Sequence, residues 1–173
     1  TIPAIGTYMV SNALAGMAVG KLLDLTDIDI TRGIESFKTV GSRANLIDTG
    51  YIKIIDDCYN ANPTSVQASV DTLMNFSGRK VCILGDMKEL GENELSLHFE
   101  TGMYARKTDV VIGIGPLASE LAKGAKGIYF ETKEQAIKEL PEIIKNGDTV
   151  LVKASHSMEF EKITEFLKEL KAE

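Results

Sequence analysis

Apolar and polar positions follow two different rhythms along the chain. From residue 1 to about residue 43 the rhythm is helical. Between Asn12 and Leu23, the residues Ala13, Leu14, Met17, Ala18 and Leu22 fall close to helical spacing. Asp29 or Thr31 is placed to cap a second helix that carries Ile34 and Phe37. Two short helices bury little apolar surface alone, so this part implies a larger body. The chain opens at Thr1 rather than at a methionine, which fits a fragment.

From about Ala44 onwards strands and helices alternate. Leu46 to Asp48 and Tyr51 to Asp56 flank Thr49-Gly50, a hairpin signal. A helix follows from Pro63 to Phe76, with Asn62 as its cap and Pro63 at its first position. Lys80 to Leu84 is a strand ending at Gly85-Asp86, and Glu94 to Arg106 a helix. Asp109 to Ile114 is the next strand, Leu117 to Lys123 a short helix and Gly127 to Phe130 a short strand. Lys133 to Lys145 is helical by pattern, and Pro141 inside it predicts a kink or two short helices. Thr149 to Val152 is a strand, and the last helix carries Met158, Ile163, Phe166, Leu167 and Leu170. Near-continuous apolar strands alternating with amphipathic helices predict an α/β fold, a mostly parallel sheet with helices on both faces. Ligands of such sheets bind beyond the carboxyl ends of the strands.

Composition narrows the classes. The chain has 173 residues, 44% hydrophobic and 25% charged, with a net charge of −6. An acidic chain without a basic cluster is a poor fit to nucleic acid or an anionic membrane. There is no apolar run of membrane-spanning length and no signal-peptide pattern. Cys58 and Cys82 lack CxxC partners, so neither a metal site nor a disulfide framework is expected, and the cytoplasm is the natural compartment.

The strand ends carry the chemistry. Asp56-Asp57-Cys58-Tyr59-Asn60-Ala61-Asn62 runs from a buried strand into a helix. A helix N-terminus favours an anion, yet two carboxylates at its mouth repel a phosphate. Carboxylates suit ribose hydroxyls or a cation, Tyr59 can stack on a base, and the Asn60 amide can donate to and accept from a base edge. This loop therefore reads as the nucleoside end of a nucleotide site. Lys153-Ala154-Ser155-His156-Ser157 supports two readings: a carboxylate or phosphate site, or a serine cap beside a snorkelling lysine. Gly85-Asp86-Met87-Lys88 and Gly113-Ile114-Gly115 read as turns, and His98 as a structural or surface histidine. No G-x-x-x-x-G-K-[ST] phosphate cradle, Ser-His-Asp order or zinc spacing is present.

In order along the chain, these pieces resemble the Mur ligases of bacterial cell-wall synthesis. Ser11-Asn12-Ala13-Leu14-Ala15-Gly16 is similar to the family's N-A-L-A-A helix, and Ser42-Arg43 to the arginine before its last domain. Asp56 to Pro63 resembles D-D-S-Y-N-A-N-P; Gly85 to Gly91, with His98, resembles G-D-M-x-E-L-G…H; Val152 to Met158 resembles V-K-G-S-R-S-M. The Y-N-A-N-P and G-D-M-x-E-L-G blocks point to the members that add D-alanyl-D-alanine to UDP-N-acetylmuramoyl-tripeptide. The resemblance implies that residues 1–43 are the helical tail of a central ATP-binding domain and residues 44–173 a Rossmann-like C-terminal domain. It implies ATP and Mg2+, both held mainly by a central domain outside this chain, and an acyl phosphate on the tripeptide carboxylate. By position, Asn12 would contact adenine, Arg43 the terminal phosphate and Asp57 the ribose, with Tyr59 and Asn60 beside the adenine. Lys88 and Ser157 would face the peptide substrates. No catalytic group and no metal ligand falls on this chain. The implied partners are the two substrates and the missing N-terminal and central domains, in a monomer, and the chain alone is expected to be inactive. Tyr8 and Met9 stand where the family usually has a His-Asn pair, a departure in the polar lining near the nucleotide. Ala154 replaces a usual glycine and His156 a usual arginine, and the imidazole makes any anion contact there weaker and pH-dependent.

Two alternatives stay open. One is a receiver-type phosphoacceptor domain, imitated by Asp56-Asp57 and Lys153, with Gly85-Asp86 a loose match to its central acid. The other is a nucleotide-binding module without catalysis.

Overall fold

The computed structural model describes residues 2–6, 8–38, 41 and 43–171. Ser42 of the Ser42-Arg43 pair lies outside the described residues, as do the two ends of the expected domains, Thr1 and Ala172-Glu173.

Two helices come first, α1 (Tyr8–Leu22) and α2 (Asp27–Glu35). They meet where Gly20 lies against Ile30, so closely that a Cβ on Gly20 would stand 2.7 Å from Cγ1 of Ile30. Neither Asp29 nor Thr31 caps α2. Thr26 does: its Oγ1 accepts from the backbone N–H of Asp29 at 3.2 Å and donates to the Asp29 carboxylate at 2.7 Å. The helix therefore starts earlier than expected and ends at Glu35, leaving Phe37 beyond it.

The rest of the chain forms a six-stranded sheet in the order β1-β2-β6-β3-β4-β5. Its strands are β1 (Asn45–Asp48), β2 (Lys53–Asp56), β3 (Lys80–Gly85), β4 (Val110–Ile114), β5 (Ile128–Phe130) and β6 (Thr149–Lys153). Only β1 runs antiparallel, paired with β2 through a hairpin whose loop includes Gly50 at φ +80°. All other pairs are parallel. The helices are α3 (Pro63–Met74), α4 (Glu94–Ala105), α5 (Ala118–Ala125), α6 (Lys133–Ile143) and α7 (Glu161–Glu169).

Successive strand residues face opposite sides, and each side has its own core. Ile54, Ile83, Ile112 and Val152 pack with Leu140 of α6 and Ile163 and Leu167 of α7. Ile55, Cys82, Leu84 and Leu151 pack with Val66, Val70 and Leu73 of α3 and Leu121 of α5. Ile5 leans on this second core from the N-terminal segment. The predicted α/β architecture is thus the one observed. Pro141 neither breaks nor divides α6, because it lies in the last turn, where its missing N–H removes a single bond. The next bond, from Ile144 N–H to the Leu140 carbonyl at 2.9 Å, still forms.

Candidate functional site

The end of β2 supplies the densest polar group. Adjacent residues leave the strand on opposite faces, and Asp56 and Asp57 divide accordingly. Asp56 is buried towards α7, where its Oδ1 accepts from Cys58 Sγ at 2.7 Å and Thr164 Oγ1 at 3.3 Å. Asp57 turns towards α3. Its Oδ2 accepts from Ser69 Oγ and from Lys153 Nζ, each at 2.7 Å, and its Oδ1 from the backbone N–H of Ala44 at 3.1 Å. The two carboxylates expected at one mouth do not pair, and only Asp57 belongs to the loop.

Lys153 fits neither of its expected roles. It does not snorkel: its side chain is 4% exposed. Its Nζ donates to Asp57 Oδ2, to the Asn60 carbonyl at 2.8 Å and, more weakly, to the Asp57 carbonyl at 3.4 Å. Ser155 is not a helix cap either; its Oγ accepts from the backbone N–H of Lys88 at 2.9 Å.

The loop beyond Asp57 holds its shape by local bonds. Asn62 accepts from the Ser65 N–H at 2.8 Å, and Ser65 Oγ accepts from the Asn62 N–H at 3.1 Å, a reciprocal cap on α3. The Asn60 Oδ1 accepts from the Ala61 N–H at 2.8 Å, which fixes the amide with its NH2 group as the donor side. Tyr59 is 46% exposed. The Arg43 guanidinium lies 3.7 Å from its ring centroid, a cation–π contact, and the His156 ring centroid lies 5.7 Å away. His156 is exposed, with Nδ1 3.4 Å from a Glu161 carboxylate oxygen.

Tyr8, at the start of α1, is coupled to this group. Burial first, and the Asp57 charge second, push its phenol above the ordinary value. Asn12, one turn further, lines a groove of about 380 Å³ between α1 and α2 with Met9, Gly16, Ile34 and Phe37. Among the described residues its side chain bonds to Met9 Sδ at 3.5 Å and to neither Tyr59 nor Asn60.

A second group joins the ends of β3, β4 and β6. The Asp86 carboxylate is fully buried and accepts from the N–H groups of Leu117 and Ala118, at 3.0 and 2.9 Å, at the start of α5. Its other oxygen accepts from Lys88 Nζ at 2.8 Å, and Lys88 remains 43% exposed. Gly115, at φ +116°, passes so close that a Cβ would meet Asp86 Oδ1 at 2.6 Å, which explains the glycine without a dinucleotide fingerprint. His98 is fully buried: Nε2 accepts from the Met87 N–H at 2.9 Å and Nδ1 meets the Glu94 carbonyl at 2.6 Å, so it is structural. Ala154 is buried against Gly85 and packs in the core beneath the site. Ser157 sits exposed in a 3-10 turn, His156–Met158, beside Lys153's strand end.

Two residues of the loop's support were not expected from sequence, Ser69 and Lys153 in this buried role. Each carries a signal. Ser69 interrupts the buried stripe Val66, Val70, Leu73, and Lys153 closes a strand whose five residues are all buried.

Residues 42–156 match the family model described as Mur ligase, glutamate ligase domain. The chain belongs to the Mur ligase family. It is 34% identical, over 178 aligned residues covering 96% of its length, to UDP-N-acetylmuramoyl-tripeptide–D-alanyl-D-alanine ligase of Bacillus subtilis. It spans 39% of that relative. Among solved structures, MurF from Acinetobacter baumannii superposes with a TM-score of 0.89 at 31% identity, over 95% of this chain and 38% of that one. MurF ligase from Thermotoga maritima, solved in complex with ADP, gives 0.84 at 32% identity, over 96% of this chain and 39% of that one. The Mur ligase resemblance and the α/β fold expected from the motifs are therefore both borne out.

Proposed function

We propose that this chain is the C-terminal part of an ATP-dependent ligase that joins D-alanyl-D-alanine to UDP-N-acetylmuramoyl-tripeptide. The observation that carries the reading is the match to the Bacillus subtilis ligase over 96% of the chain. Residues 1–43 then belong to a central ATP-binding domain and 44–173 to the C-terminal domain. ATP, with Mg2+, supplies the phosphoryl group that turns the tripeptide carboxylate into an acyl phosphate, which the D-alanyl-D-alanine amine attacks with loss of phosphate.

This chain's residues fit the nucleoside end of ATP. Asp57 holds ribose hydroxyls, the exposed Tyr59 ring and the Asn60 NH2 group meet the adenine, and Asn12 approaches from α1. Arg43 serves the terminal phosphate once it leaves Tyr59. Lys88, with one side of its ammonium held by Asp86, and Ser157 face the peptide substrates. Among the described residues no three His, Cys, Asp or Glu side chains come together, and the reading gives Mg2+ mainly to the central domain. The chain carries no P-loop sequence, and the reading gives phosphate binding to that domain as well. No described helix is long and apolar enough to cross a membrane. The reading expects a cytoplasmic monomer.

The observed geometry disfavours the receiver alternative. Asp56 and Asp57 face opposite sides of the sheet, Asp86 is spent on the start of α5, and Lys153 is enclosed.

The test is a ligase assay with the full-length protein and with this chain alone. Asp57→Asn in the full-length protein is expected to raise the ATP KM roughly tenfold, the worth of a hydrogen bond to a charged group, and to leave the D-alanyl-D-alanine KM unchanged. The chain alone is expected to show no turnover. An unaltered ATP KM refutes the ribose role of Asp57, and turnover by the pure chain refutes the assignment of phosphate binding elsewhere.

A further inference from the structure

Among the described residues the Lys153 ammonium is the one buried cation; the candidate nucleoside loop is arranged around it, and the proposed reaction makes no direct use of it. Residue 153 ends β6, which lies between β2 and β3 in the sheet, and is 3% exposed. Burying an ammonium is costly unless it is paired and hydrogen-bonded. A buried ammonium has three donors to satisfy, and where its acceptors lie decides what it holds in place. This nitrogen reaches both ends of the loop, at 2.7 Å to Asp57 Oδ2 and 2.8 Å to the Asn60 carbonyl. Tyr59 lies between those two anchors.

The arrangement also fixes the rotation of the Asp57 carboxylate. A carboxylate offers about four lone-pair sites. Lys153 and Ser69 occupy Oδ2, and Ala44 N–H takes one site on Oδ1. The uncommitted lone pair is therefore on Oδ1, and it is there because both strong donors hold the other oxygen.

We infer that Lys153 is a positioning residue for nucleoside recognition: it presents Asp57 Oδ1 to a ribose hydroxyl and sets the Tyr59-Asn60 segment beside the base. The inference rests on the reading of Asp57 as the ribose ligand. Lys153 touches no ligand itself. Without it, the carboxylate is free to turn and the Asn60 carbonyl loses its donor, so discrimination at the ribose is lost while the phosphates keep their contacts elsewhere.

The experiment is equilibrium binding of ATP and of 2′-deoxyATP to the full-length protein, wild type and Lys153→Met, with thermal unfolding to establish that the variant is folded. The wild type is expected to prefer ATP, and Lys153→Met to bring the ratio of the two affinities close to one, a loss of about tenfold for one charge-assisted hydrogen bond. Inorganic tripolyphosphate is expected to bind both proteins equally. A folded Lys153→Met that keeps the wild-type ratio overturns the inference. A wild type that shows no preference overturns the ribose reading of Asp57, and this inference with it. Should Lys153→Met not fold, Lys153→Arg decides on the same ratio. The planar fork cannot put one nitrogen between both acceptors, so the ratio is expected to fall several-fold. An unchanged ratio in Lys153→Arg overturns the inference.

Discussion

Glu159 stands at φ +52°, between Lys133 of α6 and Lys162 of α7, and its carboxylate accepts from both ammonium groups, at 2.7 and 2.6 Å. Those bonds hold its carboxyl at about 2, against an ordinary 4.5. A depressed folded-state value stabilises the fold above the ordinary value and ceases to do so as the pH falls towards the folded one. Wild type is therefore expected to lose stability more steeply than Glu159→Gln between pH 4.5 and about 2, measured by denaturant unfolding across that range. Parallel curves would show that the two lysines contribute nothing to the fold. Other residues at this scale differ in how far the sequence reveals them. Asn62 as a cap follows from its own chemistry and its place before Pro63. The division of Asp56 from Asp57 was also within reach, since neighbours on a strand point apart. The burial of Lys153 and the bond of His98 to Met87 were not, because their partners lie 96, 93 and 11 residues away along the chain.

Helices α4 and α5 illustrate what the pattern of an element conceals. A Cβ on Gly102 would stand 1.9 Å from the Leu121 carbonyl oxygen, and one on Gly124 would stand 2.1 Å from that of Phe99. Each helix thus offers a glycine to the backbone of the other, and the contact depends on both. Gly102→Ala and Gly124→Ala should each cost about 1–3 kcal/mol, the range for overpacking a tight contact, although alanine is the better helix former. Urea unfolding measures this, and a neutral or stabilising result would mean that the helices can separate freely. Helical periodicity locates α4 and α5 to within a few residues but carries no information on their separation. The same distinction applies across the fold. Strands of continuous Val, Ile and Leu were legible because burial on both faces leaves that trace. The start of α2 at Thr26 was not, because several residues there can cap. The passage of α6 through Pro141 was not, because tolerance depends on how near the helix end lies.

Considered whole, the molecule exposes its densest run of large apolar residues along α1. Gly20 is the only buried residue of that helix, while Val10, Leu14, Met17, Val19 and Leu22 are all more than 40% exposed. A helix apolar on every side is the kind that protein normally surrounds. The sheet body has an independent core on each face, and its largest exposed apolar group is Leu95, Phe99 and Met103 along α4. Two consequences separate. The chain as it stands should bind an apolar dye such as anilinonaphthalene sulfonate, because large exposed apolar patches do so irrespective of the native fold. A shortened chain that starts at Gly41 should lose most of that binding yet still unfold cooperatively, because neither core draws its main contacts from α1 or α2. In the full-length protein, α1 should be protected from hydrogen exchange, as a helix enclosed by the central domain would be. Dye binding that survives the shortening would move the exposed surface to the sheet body. Free exchange of α1 in the full-length protein would mean that no neighbouring domain covers it, and would remove the reason for placing residues 1–43 in a central domain.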